Sequence, residues 1–210
     1  RPSAAAPREW RRARPLQRAT PETADDSDPD PMILIAPAAF KGTLTATEVA
    51  DAMAEGAASA LGSAEKELRL VPLSDGGNGL LIALEDAEGG KGQGARVTGP
   101  LGTSVTARFL VQETRVVVET AEACGLHLVP NPLLNPNRAS TRGVGELVRA
   151  AREAAGAGAD TVVGLGGSAT VDAGAGMVEA LGWKLLDREG EPIPPGGRGL
   201  LELHSIEPPD

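Results

Sequence analysis

The chain has 210 residues, a formal net charge of −9, and only two Trp and two Phe as aromatic residues. The negative charge excludes a general nucleic-acid or membrane-surface binder, because no basic surplus exists to neutralise phosphates or anionic lipids. The single cysteine, Cys124, excludes an intrachain disulfide and a cysteine-based zinc site. We expect Cys124 to be a small buried apolar residue rather than a catalytic partner of His127 or His204. No apolar stretch approaches transmembrane length, and we expect a soluble, cytoplasmic protein.

The N-terminal half of the chain predicts a disordered leader followed by an α/β segment. Residues 1–31 mix Pro, Arg and acidic residues without a helical or strand period, which is typical of disorder. From Met32, a short buried strand (MILIA) precedes a helix that opens with the capping box Thr45–Glu48. A strand over 66–73, the loop SDGGNG and a helix around LLIALEDA follow. Residues 32–95 therefore read as a first, Rossmann-like segment.

The second half, residues 96–210, predicts a mixed α/β subdomain. Short alternating runs (RVTG, SVTARFLV, RVVVET) are separated by turn signals, which indicates an antiparallel hairpin or meander. A helix over 145–155, the strand DTVVGL and a helix around Met177–Leu181 follow. The Gly- and Pro-rich end shows no closing element, so we expect this subdomain to be incomplete at its C-terminus. The fold class is a Rossmann-like or flavodoxin-like parallel layer plus a mixed α/β subdomain.

Three glycine-containing loops, at 37–43, 74–79 and 164–170, each follow a predicted strand. In an open α/β sheet such loops gather at the carboxyl ends of the strands, where ligands bind, and helix N-termini there attract phosphate. Each loop alone is more typical of a tight turn or a helix cap than of a ligand site. Together they favour a cleft that handles phosphate. Its candidate lining residues are Gly42, Gly76, Gly77, Gly166, Gly167, Ser168 and Thr170.

Three charged residues in these loops have both a chemical and a structural interpretation. Lys41 is either a solvated loop charge or a point charge on a transferring phosphoryl group. Asp75 and Asp172 either ligate Mg²⁺ and accept a substrate proton or form local Asx turns and helix caps. No P-loop motif is present, and the run GKGQGA at 90–95 fits a dinucleotide fingerprint only formally, because no helix follows it.

Six segments in order resemble the signature segments of the bacterial type-1 glycerate kinase family. They are APAAFKGTLTATEVADAM, VPLSDGGNG, VTGPLG, ETAEACGLHLVP, RASTRGVGELV and GLGGSATVDAGAGMVEALG. The resemblance implies transfer of the ATP γ-phosphoryl group to a hydroxyl of D-glycerate with Mg²⁺. It implies that Lys41 holds substrate charge and that Asp75 and Asp172 act as metal ligands or base. Arg142 and Glu146 fall in a further signature segment and are additional substrate-binding candidates.

The chain also departs from the family pattern. Ala38-Ala39 stand where the family has Asp-Ser, Asn78 stands where it has an acid, and Arg142 replaces an aromatic residue. Val171-Asp172-Ala173 stands where the family has Asn-Asp-Gly. These departures leave open the alternative of a non-catalytic, truncated remnant that binds a small anionic ligand or a protein partner.

Overall fold

The computed structural model describes residues 32–40, 42–61 and 68–209. The predicted leader, Lys41 and the first two residues of the strand predicted over 66–73 lie outside the described residues. Contacts divide the chain into two compact units, each described separately below. The first comprises the described residues up to Leu73 together with Asp86–Glu88, and the second comprises Ser74–Glu85 and the residues from Gly89 onward. The division therefore falls before the loop SDGGNG, whereas the sequence predicted a boundary near residue 95.

In the first unit, strand β1 (Ile33–Ile35) pairs in parallel with strand β2 (Leu68–Leu70) beside helix α1 (Ala46–Leu61). The predicted capping box opens α1: the Thr45 backbone N donates to Glu48 Oε2 at 2.7 Å, and the Glu48 backbone N donates to Thr45 Oγ1 at 3.2 Å. These bonds satisfy N–H groups that have no partner within the helix. The small core of this unit consists of Ile35, Ala50 and Ala54.

The second unit is built on a four-stranded sheet in the order β3 (Lys91–Thr98), β4 (Ser104–Val111), β5 (Arg115–Glu119) and β6 (Asp160–Gly164). Strands β3, β4 and β5 are antiparallel neighbours, and β6 runs parallel to β5. The predicted meander and the mixed α/β fold class are confirmed. All of the run GKGQGA after Gly90 lies within β3, so it is not a dinucleotide-binding turn.

Helices cover both faces of this sheet. Helix α2 (Leu80–Glu88) places Leu81 against one face, where it packs with Leu110 and Val117. Helix α4 (Arg142–Ala155) packs against the other face, in a larger cluster with helix α3 (Thr120–Cys124). The buried residues of that cluster are Val97, Ala107, Phe109, Val116, Val118, Ala123, Cys124, Val144, Leu147, Val148 and Ala151. Neighbouring residues of β4 and β5 point to opposite faces because side chains alternate along a strand.

The C-terminal segment contains structure that the sequence reasoning missed. Strands β7 (Lys184–Leu186) and β8 (Ser205–Glu207) form an antiparallel pair, which follows helix α5 (Ala175–Ala180). Leu185 and Ile193 are buried with Ala175 in a separate apolar cluster. The expectation of no closing element was wrong, because three-residue strands interrupted by Gly and Pro leave little periodicity to detect. Among the described residues, the helices are all too short or too polar to cross a membrane.

Candidate functional site

The candidate site lies where the two parallel strands of the second unit end. Glu119, the last residue of β5, pairs in register with Gly164, the last residue of β6. The chain continues from β5 into Thr120 and α3, and from β6 into the loop Gly164–Thr170. The carboxyl ends of parallel strands are the usual ligand-binding edge of an α/β sheet.

The loops SDGGNG (74–79) and GLGGSAT (164–170) touch through their glycine backbones. A Cβ on Gly166 would lie 2.5 Å from Gly77 Cα, and one on Gly164 would lie 2.6 Å from Gly76 O. A Cβ on Gly167 would overlap Asn78 Oδ1. Side chains at these positions would force the loops apart, so glycine is required here for close backbone approach. Two of the three predicted loops are thus brought together.

Glu119 holds the first of these loops in place. Its side chain is 3% exposed, and it accepts hydrogen bonds from the backbone N of Gly79 at 3.2 Å and of Leu81 at 3.4 Å. Burial raises the pKa of Glu119, and the nearby charge of Glu122 acts in the same direction, while the backbone donors oppose the shift. The first turn of α2 therefore binds the protein's own carboxylate. Two of the N–H groups that this helix N-terminus was expected to offer to a phosphate, those of Gly79 and Leu81, are therefore already occupied.

Thr120 and Ser168 link the second loop to α3. The Gly166 backbone N donates to Thr120 Oγ1 at 3.3 Å, and Ser168 Oγ donates to the same hydroxyl at 3.4 Å. Cys124 is buried, and its Sγ lies 3.7 Å from Ser168 Oγ. Burial raises the pKa of the Cys124 thiol, although the Ser168 and Thr170 hydroxyls act against it. The prediction that Cys124 is a buried apolar residue is confirmed.

Asp172 lies inside the second unit, 1% exposed, and its carboxylate accepts four hydrogen bonds. Its Oδ2 accepts from Thr141 N at 2.8 Å, Thr141 Oγ1 at 2.9 Å and Gly176 N at 3.2 Å. Its Oδ1 accepts from Gly174 N at 3.3 Å. This is the Asx-turn and capping arrangement that the sequence left open. With three donors on Oδ2, one donor on Oδ1 and almost no exposure to solvent, the described contacts of this carboxylate are structural.

Ala173 follows in the same turn with a φ of 52°, and it is the non-glycine residue with positive φ in the described part of the chain. This left-handed conformation is one that alanine adopts at a cost.

Asp75 differs from Asp172 both in its exposure to solvent and in the number of its hydrogen bonds. It is exposed, and its Oδ1 accepts one hydrogen bond, from the backbone N of Gly77 at 3.0 Å. Asn78, Gly167 and Ser168 are also exposed. Within the described ranges, no group of three His, Cys, Asp or Glu side chains is placed to hold a metal ion. A cation bound here would have Asp75 as its protein carboxylate and would take further ligands from water and phosphate, which is the usual manner of Mg²⁺. The exposure of Asp75 leaves its carboxylate open to such a cation.

The other predicted site residues lie elsewhere. Gly42 belongs to the first unit, in a turn where its φ is +79°. Glu146 accepts hydrogen bonds from Thr98 N at 2.7 Å and from Thr98 Oγ1 at 3.0 Å, and its Oε1 lies 3.3 Å from Arg142 Nε. Glu146 therefore joins α4 to the end of β3. The described hydrogen bonds and ion pairs of Glu146 and Arg142 do not reach the paired glycine loops.

Glu119 and Thr120 are the functional candidates that sequence reasoning missed. The signal was present: a carboxylate and a hydroxyl directly follow the valine run of β5. A charged residue at the end of a fully apolar strand needs a hydrogen-bonding partner when it is buried. Here that partner is the loop SDGGNG.

Known proteins similar to this chain include several glycerate kinases. The model of the glycerate kinase family matches residues 33–209. A glycerate kinase of Bacillus subtilis is 47% identical over 178 residues, which cover 83% of this chain and 45% of the relative. A glycerate 2-kinase of Escherichia coli is 41% identical over 177 residues, with 83% and 45% covered.

A solved structure agrees with these sequence relatives. A crystal structure from Salmonella typhimurium LT2, named as a candidate glycerate kinase 2, has a TM-score of 0.67 and 39% identity. The match covers 84% of this chain and 47% of that one. The chain thus spans about half the length of the relatives it matches.

Proposed function

Because the chain belongs to the glycerate kinase family, we propose that the protein transfers the γ-phosphoryl group of ATP to a hydroxyl of D-glycerate. The names of the relatives from Bacillus subtilis and Escherichia coli, a glycerate kinase and a glycerate 2-kinase, support this activity. None of the findings favours the non-catalytic alternative. A substrate as common inside cells as ATP, together with the free thiol of Cys124, supports a cytoplasmic location.

The proposal rests on the contact between the loops SDGGNG (74–79) and GLGGSAT (164–170), which lie beside the ends of β5 and β6. Phosphoryl transfer depends mainly on positioning and charge stabilisation, and little covalent chemistry is asked of the protein. The Gly77 and Gly166 backbone N–H groups already donate to Asp75 Oδ1 and Thr120 Oγ1. The exposed backbone at Gly167 is therefore the place where phosphate oxygens would approach an N–H group that a side chain would shield. The exposed Ser168 hydroxyl adds a donor at the same place.

Each remaining candidate has a defined role in this proposal. Mg²⁺, held by Asp75, would neutralise charge on the transferring phosphoryl group. Lys41, from the signature loop 37–43, would supply a point charge to the substrate carboxylate or phosphate. Glu119 acts as a positioning residue because it fixes the loop that carries Asp75, whereas Asp172 has a structural role in the turn after the second glycine loop.

The test is ADP release with ATP, D-glycerate and Mg²⁺, using the purified protein at its full natural length. We expect activity that falls by about 10²–10³ in kcat for Asp75→Asn, the usual loss when a charge-stabilising group is removed, with a raised Mg²⁺ requirement. Asp187→Asn is the matched control, because Asp187 Oδ1 also accepts a backbone N–H two residues on, from Glu189 at 3.0 Å. Absence of ADP release in the natural protein contradicts the function, and equal losses in the two variants contradict the role of Asp75.

A further inference from the structure

A second cavity lies in the second unit and shares no residue with the paired glycine loops. It has a volume of about 460 Å³ and lies between the turn after β3, the segment before α4 and the segment before β8. Its lining includes the turn residues Gly99–Gly102 and three arginines: Arg138, Arg142 and Arg198. Three guanidinium groups around one cavity stand out in a chain with a net charge of −9.

The arginines differ in how their charges are compensated. Arg142 forms an ion pair with Glu146, with its Nε 3.3 Å from Oε1, and its charge also lowers the pKa of Glu179, against the larger effect of burial. For Arg138 and Arg198, no carboxylate lies within ion-pair distance in the described part of the chain, although Glu202 lines the same cavity. With Glu202 counted against the three arginines, the lining of the cavity keeps a net positive charge.

The backbone holds these two arginines close to one another. The Arg198 backbone N donates to Asn137 O at 3.1 Å. A Cβ on Gly196 would lie 2.7 Å from Arg138 Cα, so the turn that carries Arg198 rests directly on the residue that carries the other charge. With their backbones this close, an anion between the two guanidinium groups would offset the repulsion between like charges. The N-terminus of α4, a helix of 14 residues that begins at Arg142, adds positive potential to the cavity.

We propose that this cavity is a second anion site, which binds the phosphate group of a small phosphate ester between Arg138 and Arg198. Guanidinium groups pair with phosphate through two parallel hydrogen bonds, so two of them can hold one dianionic group. The volume favours an ester over free phosphate: a phosphate ion needs only a few times the roughly 30 Å³ of one water molecule. The organic part of the ester would lie along Pro100, Leu101 and Pro194, which line the same cavity.

The proposal is tested by calorimetric titration of the purified protein with glycerol 3-phosphate, with inorganic phosphate and with glycerol as separate probes. Glycerol 3-phosphate is neither substrate nor product of the proposed kinase, so the result is independent of that activity. We expect saturable binding of the ester, weaker binding of inorganic phosphate, no binding of glycerol, and an affinity for the ester that falls as salt increases.

The double variant Arg138→Gln/Arg198→Gln should weaken ester binding at least tenfold. The control Arg152→Gln/Arg188→Gln removes the same charge from exposed arginines outside the cavity and should stay within twofold. Thermal unfolding of each variant establishes that it is folded, and Arg198→Gln alone serves if the double variant is not. Three results would overturn the proposal: no saturable binding, equal weakening in the control, or inorganic phosphate binding as tightly as the ester.

Discussion

The contact between Gly166 and Gly77 gives the sharpest test of the site, through the substitution Gly166→Ala. The new Cβ would lie 2.5 Å from Gly77 Cα and 3.0 Å from Gly77 N, whereas ordinary contacts of this kind begin at 3.4 Å. Both neighbours are backbone atoms, so no side chain can rotate away and the loops must separate by about 1 Å. Overpacking of this kind costs about 1–3 kcal/mol of the free energy of unfolding.

The same displacement should lower activity more than stability. A misplacement of about 1 Å at a reacting centre can cost roughly 10²-fold in rate, and Gly166 lies in the loop that we propose to face phosphate. The assays are urea denaturation for stability and ADP release for kcat/KM. Gly94→Ala is the matched control, since its Cβ would lie 3.7 Å from its nearest neighbours in strand β3 of the same unit.

Gly94→Ala should change stability by less than about 1 kcal/mol, in the direction of gain, because it restricts the unfolded chain at a position that alanine can occupy. If Gly166→Ala behaves like this control in both assays, the loops are not in the contact described, and the reasoning for a phosphate site between them is refuted.

Two buried carboxylates of the second unit, those of Glu119 and Asp172, give further tests. Burial raises the pKa of Glu119 above its ordinary value of 4.5, so its contribution to stability is largest below that value and is lost as the pH rises through the folded-state pKa. The difference in unfolding free energy between the natural protein and Glu119→Gln should therefore shrink from about pH 4 to about pH 7, and a constant or growing difference would show that burial does not dominate. Asp172→Asn should lower the free energy of unfolding by about 2 kcal/mol, because an amide cannot accept from the donors on both oxygens, while kcat of the folded fraction stays near normal. Unchanged stability with lost kcat would instead place Asp172 in the reaction.

The sequence correctly predicted the structural features that depend on interactions between residues close together in the chain. The capping box at Thr45, the alternation in β4 and the apolar face of α4 each follow from neighbours a few residues apart, and each is present in the structure. The rejection of GKGQGA as a nucleotide loop depended on the residues immediately after it, which is also local information.

The arrangement of the site could not be predicted in the same way, because it depends on contacts between distant segments. Glu119 reaches a loop 40 residues earlier in the chain, and Asp172 reaches Thr141, 31 residues earlier. The sequence alone could not distinguish the roles of Asp75 and Asp172, since both are aspartates in glycine-containing loops. Only their burial separates them, one lying exposed and the other enclosed by donors.

The left-handed turn at Ala173 shows how a buried, hydrogen-bonded carboxylate can allow a residue other than glycine at the next position. Four donors converge on Asp172 and dictate the path of the main chain whichever residue comes next. Alanine is tolerated at a conformation suited to glycine, at a penalty of roughly 1 kcal/mol that the surrounding bonds can absorb. The bonds to Asp172 thus keep the shape of the turn even though position 173 is not a glycine.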